Sequence, residues 1–221
     1  MSEITVLLPG GFKPPHGGHL ELANKFASRD NVESVVVLVG PLEREGITRQ
    51  QSMKVWNLLP TNKKVSVIST KENNPMNAAF NYVFSLPKDS SKMIALGSSS
   101  KDVADSKRSL IFKKAVERYK EKPDKFGNTS PKGIEVTDIT DDVYSVYSNR
   151  SDELNNKSIS ATTLRNDLKE KDFNNFKTNY PGVSDTVTSK IYKILSGSDN
   201  KSELDERLKK FVEYIIRTRN F

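Results

Sequence analysis

The chain of 221 residues has no cysteine and only two histidines. The first absence excludes disulfides and thiolate chemistry, and fits a reducing, cytoplasmic setting. With so few imidazoles and no thiolate, zinc would need carboxylates to complete its usual three or four ligands, which makes a zinc site a poor reading. No apolar run approaches the roughly twenty residues that span a bilayer. Met1-Ser2-Glu3 carries no basic n-region, so no signal peptide is expected and a soluble protein is. Positive charge is in modest excess, with 35 Lys and Arg against 28 Asp and Glu, a formal net charge of +7. The lysines are spread along the chain or gathered in one loop, 120–132. In sequence they are not interleaved with aromatics as a single-strand binder would have them. The charge therefore reads as solvated surface with a bias toward anionic substrates, and nucleic acid is not the expected partner.

The two histidines stand three apart, in Gly10-Gly11-Phe12-Lys13-Pro14-Pro15-His16-Gly17-Gly18-His19. The apolar run 4–8 leads in, and Leu20, Leu22, Ala23, Phe26 and Ala27 follow at helical spacing. A strand thus enters a Gly/Pro turn, and the histidines fall where a helix begins. Backbone N–H groups at a helix start favour an anion, typically phosphate. Residues three apart share a helix face, so both imidazoles can reach one bound group.

Further along, Val35-Val36-Val37-Leu38-Val39 has the unbroken apolar character of a buried parallel strand. A helix is expected over 48–59, a strand over 65–68, a helix over 77–86, a strand over 93–96 running into Gly97, a helix over 110–119, and a strand from 134. This alternation predicts an α/β, Rossmann-like, doubly wound parallel sheet of about five strands, with a C-terminal helical extension. Ligands in such sheets bind beyond the carboxyl ends of the strands, where strand order reverses. The expected division is a main domain over 1–195, with a linker and amphipathic helix over 196–221. That helix, with its stripe of Leu204, Leu208, Phe211, Val212, Ile215 and Ile216, is expected to pack on the domain, an oligomer contact being the alternative. The polar segment 149–156 reads as either a lid or a long connection.

The histidine segment resembles the HxGH signature of the nucleotidylyltransferase superfamily, G-x-F-x-P-x-H-x-G-H. Gly10, Phe12, Pro14, His16, Gly18 and His19 fill it, with Gly11 as an alternative first glycine. The family's second signature, I-S-x-T-x-x-R, is matched by Ile159-Ser160-Ala161-Thr162-Thr163-Leu164-Arg165. The resemblance implies transfer of a nucleoside monophosphate from a nucleoside triphosphate to a phosphorylated small-molecule acceptor, with release of pyrophosphate. It implies catalytic roles for His16, His19 and Arg165; Lys13, read as projecting from the turn, is a second candidate for phosphate contact and catalysis, a solvated lysine being the alternative. It implies nucleotide contacts at Gly10, Gly11, Phe12, Gly18, Gly97, Ser160, Thr162 and Thr163, where Gly17 and Gly18 would let phosphate approach the backbone. It also implies Mg2+ held by triphosphate oxygens and water, with no dedicated protein cage. Two departures stand out. The S-x-E-x-R pattern is poorly matched at 47–52, where Arg49 is the substitute. The G-x-D at the fourth strand is replaced by Gly97-Ser98-Ser99, with Asp102 the nearest carboxylate. The tail after Arg165, through Tyr180-Pro181-Gly182-Val183, resembles that of nicotinamide-mononucleotide adenylyltransferases and favours ATP. Cytidylyl transfer is the close alternative, and a non-catalytic nucleotide-binding sensor is the alternative of another class.

Overall fold

A computed structural model describes residues 3–99, 103–141 and 159–197. Five strands, β1 (Ile4–Gly10), β2 (Val32–Val39), β3 (Val65–Ser69), β4 (Met93–Ser99) and β5 (Glu135–Asp141), form one sheet in the order β3-β2-β1-β4-β5. Every pairing is parallel. The chain winds outward from β1 to β3, crosses back beside β1 at β4, and continues outward to β5. Strand order therefore reverses between β1 and β4, as expected for a doubly wound α/β fold.

The period of two along each strand sorts the core into two layers. Val6, Leu8, Val35, Val37, Val39 and Ala95 face one layer. Leu7, Val36, Leu38, Ile94, Leu96 and Val136 face the other. The first is covered by α1 (Gly17–Ala27), α2 (Arg49–Leu58), α5 (Ala161–Lys169), α6 (Phe173–Thr178) and α7 (Asp185–Leu195). The second is covered by α3 (Pro75–Phe84) and α4 (Val103–Glu121). Side-chain caps fix the helix starts: Thr48 with Gln51 for α2, Asn74 for α3, Ser160 for α5, and Ser184 for α7. Gln51 also donates from Nε2 to the Ile194 carbonyl, tying α2 to the last described helix.

Several elements run beyond their expected bounds: β2 begins at Val32, β1 and β4 continue to Gly10 and Ser99, and α4 extends furthest. Helix α4 begins seven residues earlier than the apolar pattern indicates, because 103–109 is mostly polar and hides its period. Strand β5 runs on to Asp141, keeping register with β4 to its end. Asp102, the segment 149–156 and the stripe 204–216 lie outside the described residues. Among the described residues, no helix is long and apolar enough to cross a membrane.

Gly97, near the end of β4, sits where a Cβ would lie 2.6 Å from Leu8 and 2.8 Å from Val6. Gly97→Ala is expected to lower stability by about 1–3 kcal/mol through overpacking, read as a shift in the urea midpoint with an unchanged slope.

Candidate active site

Beyond the carboxyl ends of β1 and β4 lies a cleft of about 600 Å³. Gly10, Gly11 and Phe12 line it from the first turn, Gly97 and Ser98 from β4, and His19 from α1. The start of α3 and Arg108 complete its wall. The cleft thus falls at the strand-order reversal, and its volume suits a nucleotide-sized ligand.

His16 is the N-cap of α1. Its Nδ1 accepts from the Gly18 N–H at 3.2 Å, and the His19 Nδ1 accepts from the His16 N–H at 3.3 Å. The two imidazoles form a reciprocal capping box in place of the usual hydroxyl and carboxamide. Their rings stack, with centroids 3.7 Å apart. The remaining helix-start donors are also engaged: Gly17 N–H donates to the Asn179 carbonyl at 2.9 Å, and His19 N–H to the His16 carbonyl at 3.0 Å. The expectation that these backbone groups face an anion is therefore corrected. So is the expectation that Gly17 and Gly18 leave room for phosphate. A Cβ at Gly17 would meet Pro181 at 2.7 Å and the Asn179 carbonyl at 2.8 Å, and one at Gly18 would crowd the His16 ring.

Since both Nδ1 atoms accept, a neutral ring in each case carries its proton on Nε2. Burial drives the His16 pKa down to about 4. Burial, and secondarily the charge of His16, holds His19 well below the ordinary histidine value. Both rings are thus neutral near pH 7. Among the described residues neither Nε2 has a hydrogen-bond partner. Each neutral ring keeps one Nε2–H donor; His19 lines the cleft, and His16 stacks against it without lining the cleft itself.

Lys13 is 4% exposed, and so does not project from the turn. Its Nζ donates to the Gly11 carbonyl at 2.9 Å and the Gly40 carbonyl at 3.0 Å. Burial, with the neighbouring Arg49 guanidinium, lowers its pKa to about 8. Arg49 opens α2 and donates to the Thr70 carbonyl at 2.8 Å, so it sits beside the turn despite the poor motif match. Phe12 adopts φ of 49°, a left-handed conformation costly for a bulky residue. Its ring is held edge-on between His19 and Trp56, and its carbonyl accepts from the Ser52 hydroxyl at 2.7 Å.

The second motif meets the first through Arg165, which is 3% exposed. Its Nη1 donates to the Lys13 carbonyl at 2.8 Å, its Nη2 to the Thr162 hydroxyl at 3.1 Å, and its Nε to Glu45 at 2.8 Å. Ser160 accepts from the Thr163 N–H at 3.1 Å and bonds its hydroxyl at 2.9 Å, so both serve the helix start. The motif's arginine is thus a staple across 152 residues. It borders a second cleft beside Glu45 and Lys169, apart from the one His19 lines. Glu45 sits in a tight turn with Gly46, both at positive φ, and also pairs with Lys169 at 2.7 Å.

Several supports of the site escape sequence reasoning. Tyr180, fully buried, donates to the Pro15 carbonyl at 2.7 Å across 165 residues. Ser52 and Asn179 hold the turn from α2 and from the residue after α6. No local pattern marks these residues, because each bond is made across the fold.

The described residues form an α/β, Rossmann-like fold with a nucleotide-sized cleft at the strand-order reversal. No protein-family model and no curated protein sequence matches the chain. Among solved structures it is similar to Thermotoga maritima TmcAL bound with alpha-thio ATP, at 15% identity and a TM-score of 0.44. That likeness covers 91% of this chain and 56% of that one, so this chain spans little more than half its length. It is also similar to Plasmodium falciparum nicotinic acid mononucleotide adenylyltransferase, complexed with APC (13% identity, TM-score 0.44, 88% of this chain and 95% of that chain). The same enzyme complexed with NaAD gives 12% identity and a TM-score of 0.45, covering 88% and 98%.

Two outcomes test the site's construction. Because the fold favours neutral His16, its stabilisation is complete above about pH 6.5 and is lost as pH falls toward 4. Between pH 7 and 5 His16 accounts for a loss of about 2 kcal/mol and His19 adds to it; in urea titrations at each pH, His16→Asn is expected to remove the His16 share and leave a shallower slope. Tyr180→Phe strands the Pro15 carbonyl and is expected to cost about 1–3 kcal/mol in the same titration, with no change in its pH slope.

Proposed function

We propose that the protein is a nucleotidylyltransferase. It would move the nucleoside monophosphate of a nucleoside triphosphate, ATP favoured, onto a phosphorylated small-molecule acceptor. The observation that carries this reading is the neutral histidine pair, whose Nδ1 atoms are engaged by backbone N–H groups and whose Nε2–H groups are donors. Such a pair cannot accept a proton at Nε2, and so suits stabilising charge on a phosphoryl group better than activating a nucleophile. A phosphate acceptor is already anionic at neutral pH and needs no base, whereas an alcohol would. An acceptor oxygen attacks the α-phosphorus, the bond to the bridging oxygen breaks, and pyrophosphate leaves with the electron pair. Positioning and hydrogen bonding to the phosphoryl oxygens supply most of the acceleration.

In this reading His16 and His19 act at the α-phosphate. Lys13 contributes positive charge from beneath the turn, with Gly10, Gly11, Phe12 and Gly97 shaping the nucleotide cleft. Arg165 has two further N–H groups beyond those bonded to the protein, and Ser160, Thr162 and Thr163 form the helix start beside it. Gripping the outer phosphates with more of its fork would require Arg165 to release Glu45. Among the described residues the cleft lining holds no carboxylate, an arrangement compatible with Mg2+ arriving with the triphosphate and held by its oxygens and water. The ion would supply charge neutralisation across the phosphates. The adenylyl preference rests on the resemblance of the tail around Tyr180 and Pro181, with a cytidylyl donor as the alternative.

Pyrophosphate release, with Mg2+ and with ATP and CTP crossed against phosphorylated acceptors including nicotinamide mononucleotide, tests the reading. Release is expected with one donor–acceptor pair, falling about 10²–10³-fold in His16→Ala. Arg165→Ala is expected to lose it as well. Tight nucleotide binding without release from any pair would favour a sensor, and no nucleotide binding would overturn the proposal.

A further inference from the structure

Charge is unevenly distributed over the chain. Between positions 113 and 132 stand seven Lys and Arg against three Asp and Glu, in the second half of α4 and the loop after it. That segment alone carries more than half of the net charge of +7. In sequence it holds only Tyr119 and Phe126 as aromatics. The fold brings Phe80 and Phe84 of α3 against it. Tyr119 meets the edge of Phe84 at 5.5 Å and of Phe80 at 6.4 Å, and Phe80 stacks on Phe112 at 5.3 Å. Between these helices and the loop lies a cleft of about 590 Å³, lined by all four of Phe80, Phe84, Tyr119 and Phe126 together with Arg118 and Lys125. It shares no lining residue with the cleft at the strand ends.

Phe126 is 76% exposed, which costs hydrophobic free energy unless something covers the ring. Its loop is closely built. Asp124 accepts through its carboxylate from the Phe126 N–H at 2.8 Å and the Asn128 N–H at 2.7 Å, and its own N–H donates to the Asn128 carbonyl at 2.8 Å. Gly127, at φ of 83°, closes the turn. From the far side Lys88 donates to the Thr129 carbonyl at 2.8 Å. The ring is therefore presented outward by a pinned turn, with the Lys125 ammonium 4.9 Å from its centroid. The two carboxylates lining the cleft are engaged within the fold, Asp124 as described and Glu72 by Asn81 Nδ2 at 2.7 Å.

We infer that this aromatic, cationic cleft binds single-stranded nucleic acid, with a base stacking on Phe126 and the backbone following Arg118 and Lys125. Aromatic faces set among cations are what an unpaired strand requires, since every base has a face to stack and every linkage a charge to neutralise. A duplex hides its base faces and would meet only the charge.

Fluorescence anisotropy of the full chain with a labelled oligouridylate of about 20 nucleotides tests the inference. Binding is expected, weakening as salt rises from about 50 to about 200 mM. Phe126→Ala is expected to weaken it roughly tenfold while Phe126→Trp retains it. Lys125→Gln is expected to flatten the salt dependence. Because the clefts are separate, excess ATP is expected to leave oligouridylate binding in place. No binding would overturn the inference. So would equal binding by Phe126→Ala, or equal competition by a duplex or by polyglutamate, which would indicate charge alone.

Discussion

Everything at the candidate site depends on one constraint, the fixing of the turn between β1 and α1 by residues distant in sequence. Its carbonyls are taken up one after another: Gly10 by the Gly40 N–H, Gly11 by Lys13, Phe12 by Ser52, Lys13 by Arg165, and Pro15 by Tyr180. The donors come from the residue after β2, the turn itself, α2, α5 and the residues after α6. A turn with two adjacent prolines and a left-handed phenylalanine has little intrinsic reason to hold one shape. The surrounding elements impose that shape, and they place both imidazoles at the strand-order reversal. The second motif is then intelligible in mechanical terms, because Arg165 ties α5 to the turn.

The same geometry determines the electrostatics. A histidine at a helix N-cap is an unusual choice, since Ser, Thr, Asp and Asn are the common ones. Unlike a carboxylate, a neutral imidazole accepts the helix N–H on one nitrogen and keeps an N–H on the other. Each ring takes a backbone N–H on Nδ1, which leaves the proton of the neutral form on Nε2, and burial disfavours the protonated form. Lys13 and Arg49 add positive charge behind the turn without placing a proton acceptor near it. The turn thus combines two neutral imidazoles with nearby positive charge.

Much of the fold was legible in the sequence. Valine-rich strands, the Pro and Gly that punctuate them and the alternation with helical stripes specify a doubly wound parallel sheet. The motifs marked His16, His19 and Arg165, and the fold links them through the first turn, although Arg165 borders a different cleft from His19. Their partners were not marked. Nothing in the neighbourhood of Tyr180 marks it as the donor to Pro15, and Lys13 in a Gly/Pro turn has the pattern of an exposed cation until Gly40 is folded over it. Gly17 and Gly18 read as phosphate-approach glycines, yet the space at their Cα atoms is filled by Pro181, the Asn179 carbonyl and the His16 ring. The interleaving of aromatics with lysines was invisible for the same reason: Phe80 and Phe84 reach the basic loop only through the packing of α3 on α4.

With just two histidines in the chain, nitrogen-15 NMR of the imidazoles reports on the central claim without assignment ambiguity. At neutral pH both rings are predicted to be neutral and protonated on Nε2, and both Nε2 signals are predicted to shift when Mg2+ and nucleoside triphosphate are added. A protonated ring, an Nδ1–H tautomer, or Nε2 signals unmoved by saturating nucleotide would contradict the account.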